Sequence, residues 1–159
     1  MLISKADIGT GTLFLYAKTK GELLLLVQNS TYADALVRGK AAAETIPDML
    51  EAVMAIIRPV VECNRTQIDN GRTYLREMVF GDPAEPHHRA ALDLTVQTEE
   101  AIAVMLRRDQ RIDPSAAAAL AHIVSAIMFL SMAATININN TVDDILREIR
   151  DQIRVLLPR

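Results

Sequence analysis

The stretch IGTGTLFLYAKTKGELL, residues 8–24, carries the side chains with the clearest chemistry in this 159-residue chain. The hydroxyl and methyl groups of Thr10 and Thr12 can contact base edges, and the hydroxyls can also contact phosphates. Gly11 lies between them and has no side chain, so the backbone there can approach a partner closely. Hydroxyls and lysines around glycines, with few apolar positions, indicate a surface that contacts a partner such as nucleic acid.

The spacing of these residues predicts two short helices joined by a tight turn, followed by a long helix. Residues 2–6 end the first helix, residues 8–10 form the turn, and residues 10–16 form the second helix. Thr19, with Glu22 three residues later, predicts a capping box at the start of the long helix. In a helix-turn-helix of this kind, the second helix lies in the major groove of DNA.

The segment SKADIGTGTLFLYAKTKGELLLLV resembles the DNA-binding motif of the TetR family of one-component transcriptional repressors, over about residues 2–28. The residues that match in order and spacing are Ala6, Ile8, Gly11, Thr12, Leu13, Phe14, Tyr16, Lys20, Leu23 and Leu24. The resemblance implies that Lys20 contacts a phosphate at the N-terminus of the long helix. The full set of residues implied to contact operator DNA is Thr10, Gly11, Thr12, Phe14, Tyr16 and Lys20.

The chain departs from the family pattern in three respects. Phe14 stands where tyrosine is commonest and has no hydroxyl, and Ala17 stands where phenylalanine is usual. Family members also have a full helix before these two, whereas this sequence begins within the helix that residues 2–6 end, which is the second helix of the family. Either the sequence is truncated or its DNA-reading region is damaged, and we expect truncation.

Other residues with reactive side chains form no recognisable catalytic or metal-binding pattern. Glu85 and His88 have the E-x-x-H spacing of di-iron bundles, but the spacing occurs once and Pro86 lies within it. Cys63 is expected to be buried and inert, and His122 to lie in the core or at an interface. The sequence contains no nucleophile elbow, P-loop or dinucleotide fingerprint. We therefore expect a protein that is not an enzyme and has no cofactor or metal.

The composition predicts an all-α protein, because half of the residues are hydrophobic, 4% are aromatic, and Gly and Pro number six each. The net charge of −3 hides an asymmetry: residues 1–40 carry five basic and three acidic residues, a net of +2, which leaves −5 on residues 41–159. A basic contact surface joined to an acidic body fits this distribution. A single cysteine and the lack of a secretory signal pattern predict a cytoplasmic location.

The predicted organisation is a partial helix-turn-helix region running into the connecting helix, residues 1–40, and a helical ligand-binding and dimerisation domain, residues 41–159. Helices are predicted at about residues 19–38, 46–64, 73–80, 87–108 and 115–136, with a last one capped by Thr141. Pro59 predicts a kink or an early break in the second of these. Asn70-Gly71 predicts a stop before the third.

Seven methionines are many for this length, and six fall on the middle helices. They are either ordinary core filling or the adaptable lining of a ligand cavity. We expect such a cavity to take a small apolar or aromatic effector, with Tyr74 or Asn64 supplying an orienting hydrogen bond. Its predicted lining is Met54, Ile57, Val61, Asn64, Tyr74, Met78, Leu94, Val124 and Met128.

Residues 115–136 carry no formal charge and are long enough to cross a bilayer, but they lack basic or aromatic flanks. We therefore expect no membrane span. We expect this helix to join the apolar stripe of the last helix in a four-helix bundle between two subunits of a homodimer. The predicted interface residues are Ile127, Leu130, Val142, Ile145, Leu146, Ile149, Ile153 and Leu156.

The expected function is that of a TetR-like repressor, which binds a palindromic operator as a dimer and is released by the effector. One alternative is a helix-bundle dimerisation module without DNA binding. Another is a helix-bundle metal protein or enzyme. Operator binding without bound metal or turnover would distinguish the first function from the last.

Overall fold

The computed structural model describes residues 17–159, which form six α-helices and no strand. The helices are α1 (Lys20–Glu44), α2 (Met49–Arg65), α3 (Ile68–Phe80), α4 (Pro86–Leu106), α5 (Pro114–Ala133) and α6 (Val142–Leu156). A short 3₁₀ helix, Thr135–Asn137, lies between α5 and α6. The expected all-α class is confirmed. The two short helices predicted before residue 17 lie outside the described residues.

Helix α1 begins where the capping motif predicts. Thr19 Oγ1 accepts a hydrogen bond from the Glu22 backbone N–H at 3.1 Å, and the Glu22 carboxylate accepts one from the Lys18 N–H. The helix continues to Glu44, past the predicted end at Arg38. It continues because its buried face is still packed against α2 at that point.

The contact between α1 and α2 is closest at Gly39. A Cβ atom at this position would lie 2.8 Å from the Ile56 carbonyl oxygen and 2.9 Å from the Ile56 Cα. Any larger residue would therefore push the two helices apart. Helix α2 runs without interruption through Pro59, so an early break there is wrong. The neighbouring Ile57 and Val60 are fully buried, and this packing holds the helix together around the proline.

The predicted stop at Asn70-Gly71 is also wrong, because both residues lie inside α3, which begins at Ile68. Gly71 marks instead the place where α3 crosses close to the end of α2. A Cβ atom on Gly71 would lie 2.1 Å from the Asn64 carbonyl oxygen, and Asn64 Nδ2 donates to the Gly71 carbonyl at 3.1 Å. The glycine therefore permits a helix contact and does not end a helix.

The later helices begin at local capping signals. Asp113 caps α5 and Pro114 follows it at the first helical position, as predicted. Thr141 and Asp144 form a reciprocal capping box at the start of α6. Both ends of α4 and of α5 lie within three residues of their predicted positions.

Helix α6 packs against α2 and α5, and its apolar stripe belongs to the core of this single chain. The Arg150 guanidinium makes two hydrogen bonds with the Glu51 carboxylate of α2. A second ion pair joins Arg58 of α2 to Asp143 at 3.2 Å. The last helix is thus a structural part of the body of the molecule.

The chain between α5 and α6 is held by a buried arginine. Arg65 Nη2 donates to the carbonyl oxygens of Asn137, Ile138 and Asn140, each at 3.0 Å. Arg72 Nε donates to the Ala133 carbonyl at the end of α5 at 2.9 Å. Arg72 thus supplies a partner for a carbonyl group that the end of α5 leaves unpaired, and Arg65 fixes the turn that follows.

We expect Gly71→Ala to destabilise the protein by about 1–3 kcal/mol, because the added methyl group would overlap the Asn64 backbone. Gly21→Ala is the matched control, since a Cβ there would meet only the flexible Glu77 carboxylate, at 3.1 Å. The control should be neutral or slightly stabilised, because alanine favours helix. Urea denaturation measures both variants. Equal stability of the two would contradict the close contact at Gly71.

Candidate functional site

Of the six residues implied to contact DNA, the structure describes Lys20. Thr10, Gly11, Thr12, Phe14 and Tyr16 lie outside the described residues. Lys20 is exposed as the first residue of α1, and Lys18 is exposed just before it. The first turn of a helix has free N–H groups and a positive field. Although Glu22 offsets part of this charge, the start of α1 is suited to an anionic partner such as a phosphate.

Three helices of the body meet at a set of hydrogen bonds that we call the tyrosine cluster: Tyr32, Tyr74, Asn29, Thr98 and the His87 carbonyl. The Tyr32 hydroxyl lies 2.8 Å from Thr98 Oγ1, which joins α1 to α4. The Tyr74 hydroxyl donates to Asn29 Oδ1 at 2.8 Å, and Asn29 Nδ2 donates to the His87 carbonyl at 2.9 Å. Asn29 of α1 therefore binds α3 and α4 at the same time.

Burial keeps the side chains of Tyr32, Tyr74 and Cys63 uncharged well above neutral pH. It raises the pKa of Tyr32 to about 12 and raises the pKa of Tyr74 further still. It also raises the pKa of the Cys63 thiol to about 11, so the thiol is protonated at neutral pH. Cys63 is half-buried rather than fully buried, and its Sγ donates to the Val60 carbonyl at 3.2 Å. The interior around the tyrosine cluster is therefore polar but neutral.

Some buried polar atoms in the described part of the chain have no hydrogen-bond partner. They are Asn64 Oδ1, Arg65 Nη1, His88 Nδ1 and Ser125 Oγ. An unpaired buried polar atom costs about 1–3 kcal/mol, so a molecule that bonded to one would recover that free energy. Ser125 lies on α5 and His88 in the first turn of α4, and both are almost completely buried.

All nine residues predicted to line a ligand cavity are buried in the body. They are Met54, Ile57, Val61, Asn64, Tyr74, Met78, Leu94, Val124 and Met128. Except for Asn64, they belong to the packed core, and only Met54 borders any of the main surface grooves of residues 17–159. The structure therefore brings them together as a core and not as the walls of an open cavity. The Tyr74 hydroxyl already has a partner, whereas Asn64 Oδ1 does not.

The described surface carries an apolar groove of about 690 Å³ between α3 and α5. Its floor is formed by Leu75, Val79, Phe80, Ala126, Phe129, Leu130 and Ala133. Its polar rim is formed by Asp69, Arg72, Thr73 and Arg76. A second groove, of about 770 Å³ and more polar, lies between α1, α2 and α6.

The structure buries some residues of the predicted dimer interface inside the chain and leaves others at the surface. Ile145, Leu146, Ile149 and Ile153 are buried within the single chain, so these four residues cannot form the surface between two such chains. The sequence pattern showed that this stripe must be buried but could not show that α2 and α5 of the same chain cover it. Val142 and Leu156 are half-buried at its two ends. On α5, by contrast, Leu130 is 70% exposed and Ile127 is half-buried.

The E-x-x-H pair serves as a helix cap. The Glu85 carboxylate accepts hydrogen bonds from the backbone N–H groups of His87 and His88, at 2.9 and 2.6 Å. The His88 ring Nε2 lies 2.8 Å from the Met78 carbonyl oxygen. No group of three or more His, Cys, Asp or Glu residues suited to a metal ion occurs within residues 17–159. His122 is exposed and lies 3.0 Å from Glu99, which rules out a core position.

Helix α5 is the one helix among the described residues that is long and apolar enough to cross a bilayer. In its most apolar stretch, 39% is buried inside the protein. Length and composition alone are weak evidence for a span, because a core helix of a water-soluble protein passes the same test.

Comparisons of this chain with protein-family models, with curated proteins and with solved structures find no match.

We expect the protein to lose stability as the pH rises above 10, through the tyrosine cluster. The unfolded chain releases its tyrosine protons near pH 10, whereas folded Tyr32 holds its proton to about pH 12. The unfolded state therefore gains roughly 2–3 kcal/mol from Tyr32 across this window, in addition to the contribution of Tyr74. Urea denaturation at a series of pH values measures this loss.

Tyr32→Phe tests the assignment to this side chain. The variant should lose about 1 kcal/mol at neutral pH with the Thr98 hydrogen bond, but its stability should fall less steeply above pH 10. Lysine titration is common to both proteins and cancels in the comparison. Identical pH dependence in the two proteins would contradict a buried, neutral Tyr32.

Proposed function

We propose that this chain is a TetR-like transcriptional repressor of the cytoplasm, which binds operator DNA as a homodimer through residues 8–24. A small molecule that enters the helical body releases it from DNA. The resemblance of the motif supports DNA binding. The observation that carries the proposal is α1, Lys20–Glu44, which begins at the predicted cap directly after the motif and extends along the body.

The contacts of α1 offer a route by which the body could influence the motif. The first half of α1 is bound through Asn29 to Tyr74 of α3 and to the backbone of α4. At its first turn, Gly21 lies against the Glu77 carboxylate of α3. A change in the packing of α3 and α4 would therefore displace the start of α1, where Lys20 lies. A ligand produces such a change only if it binds one arrangement more tightly than the other.

The interior indicates which chemical class of effector would bind. Its side chains are apolar and rich in methionine, which repacks around irregular molecules. Its unpaired atoms include an acceptor at Asn64 Oδ1 and a hydroxyl at Ser125. A neutral, apolar or aromatic molecule with at least one hydroxyl or amine group fits this interior. The methionines and α-helices must move to admit it, because the core is packed.

A dimerisation module without DNA binding remains the second candidate, and the exposed apolar face of α5 favours it. Operator binding would distinguish the two functions.

The first test concerns DNA, with the protein extended at its N-terminus by a helix of the kind that precedes this motif in TetR-family proteins. Lys20→Ala should weaken binding to all DNA sequences and lower the slope of log K against log salt by about one unit. Thr12→Ala should cost more on operator than on random DNA, since base contacts carry specificity. Lys40→Ala is the control, because Lys40 is exposed and lies far along α1. This variant should leave the binding of operator and of random DNA unchanged. Fluorescence anisotropy at several salt concentrations measures all three.

Equal losses on operator and random DNA for Thr12→Ala would show that Thr12 does not read bases. An unmutated protein that binds no operator would contradict the repressor function and leave the dimerisation module.

The second test concerns the effector, with naphthol as an apolar aromatic probe that carries one hydroxyl. Naphthol should raise the Tm of the unmutated protein, and Ser125→Ala should lose at least half of that increase. Without the probe, Ser125→Ala should melt close to the unmutated protein, because the Ser125 hydroxyl has no partner to lose. Ser30→Ala, at an exposed position of α1, is the matched control. An equal increase in all three proteins, or none in any, would contradict this effector site.

A further inference from the structure

One side of α5 is left uncovered by the rest of the described chain. From Pro114 to Ala133 the helix contains no Asp, Glu, Lys or Arg residue. Its exposed residues recur every three or four positions along one stripe: Ala116, Ala119, Ile123, Ala126 and Leu130. Leu130 is 70% exposed. Such a stripe is what a helix presents to a partner, not to water.

The end of α3 extends this stripe into a wider surface. Val79 and Phe80 are 62% and 82% exposed, and both border the apolar groove shared with Phe129 and Leu130. We call the combined surface the α3–α5 face: Val79, Phe80, Ile123, Ala126, Phe129 and Leu130. Contiguous exposed apolar patches of several hundred Å² on a soluble chain mark interaction sites.

We propose that the α3–α5 face is the docking surface for a second copy of this chain, in a dimer with two-fold symmetry. A two-fold interface places the same patch on both subunits, so the patch must be self-complementary. The α3–α5 face meets this condition because its members are uncharged. Its rim carries the exposed Asp69 and Arg76, whose opposite charges can pair across the interface.

The size of the face is of the order that a stable dimer needs. A 20-residue helix is about 30 Å long, and neighbouring helices lie about 10 Å apart. Helix α3 has 13 residues and is about 20 Å long. The two adjacent helices therefore present about 500 Å² in projection, and interdigitated side chains increase the accessible area. Stable interfaces bury about 800 Å² on each partner.

This interface differs from the α5–α6 bundle that the sequence predicts. The apolar stripe of α6 is already buried in the chain, and the outer side of α6 carries Arg147, Asp151 and Arg154. In the proposed interface, the helix that contributes beside α5 is therefore α3, through its end, and not α6. Two-fold symmetry is what a palindromic operator requires, so the surface deepens the proposed function. Its own test contains no DNA, so the failures are distinguishable. A monomeric chain would contradict the homodimer in both proposals, a dimer unaffected by Leu130→Glu would contradict this surface alone, and a dimer that binds no operator would contradict the repressor function alone.

Leu130→Glu is the decisive variant. Leu130 is exposed in the single chain, so the variant should fold, with the circular dichroism spectrum and Tm of the isolated chain preserved. The unmutated chain should have the mass of a dimer by light scattering, whereas Leu130→Glu should raise the dissociation constant by about 100-fold or more. Phe80→Glu should act in the same direction. Val155→Glu is the control, since Val155 is 83% exposed on α6 and lies off the α3–α5 face.

A monomeric unmutated chain, a dimer unaffected by Leu130→Glu, or a dimer dissociated by Val155→Glu would each overturn the proposal. Sedimentation with anionic phospholipid vesicles tests whether the α3–α5 face binds a lipid surface instead of a second chain. The unmutated chain should stay in the supernatant. Binding to vesicles that Leu130→Glu abolishes would assign the face to a lipid surface and overturn the dimer.

Discussion

The close approach of α1 to α2 at Gly39 is the constraint on which the rest of the described structure depends. A Cβ atom on residue 39 would lie only 2.8 Å from the Ile56 carbonyl oxygen. The glycine therefore fixes both the distance between the two helices and their register. That register buries Tyr32 beside Thr98 and places Asn29 where it can bond to both α3 and α4. The hydrogen bonds of the tyrosine cluster then bind α1 to α3 and α4.

The same reasoning explains why α6 belongs to the core. Arg65 binds the carbonyl groups of Asn137, Ile138 and Asn140, and so fixes where the chain turns after α5. A buried guanidinium is tolerated there because its charge is met by carbonyl dipoles. The turn leaves α6 against α2 and α5, which covers its apolar stripe. It also leaves the outer face of α5 uncovered by the other described residues, and this is the origin of the α3–α5 face.

Local signals were predictable from the sequence, and signals whose meaning depends on distant residues were not. Thr19, Asp113 and Thr141 were identified correctly because a cap acts within four residues. Gly71 was misread as a stop because its role depends on Asn64 of the preceding helix. The burial of the last apolar stripe was predicted, but not the elements that cover it. The polar residues Asn29, Thr98 and Ser125 gave no distinctive pattern, since single polar residues on a helix indicate neither burial nor pairing.

Some buried polar atoms have hydrogen-bond partners and others have none. This difference indicates which helices can be separated at the lowest cost in free energy. Around α1 the polar side chains are paired, so separating α1 from α3 or α4 breaks hydrogen bonds worth about 0.5–1.5 kcal/mol each. Near Ser125 of α5 and His88 of α4 the unpaired atoms would gain partners from water or a ligand. We therefore infer that an entering molecule would separate α5 from its neighbours sooner than it would separate α1. Since α5 also carries the α3–α5 face, entry of a ligand and association of two chains would act on the same helix.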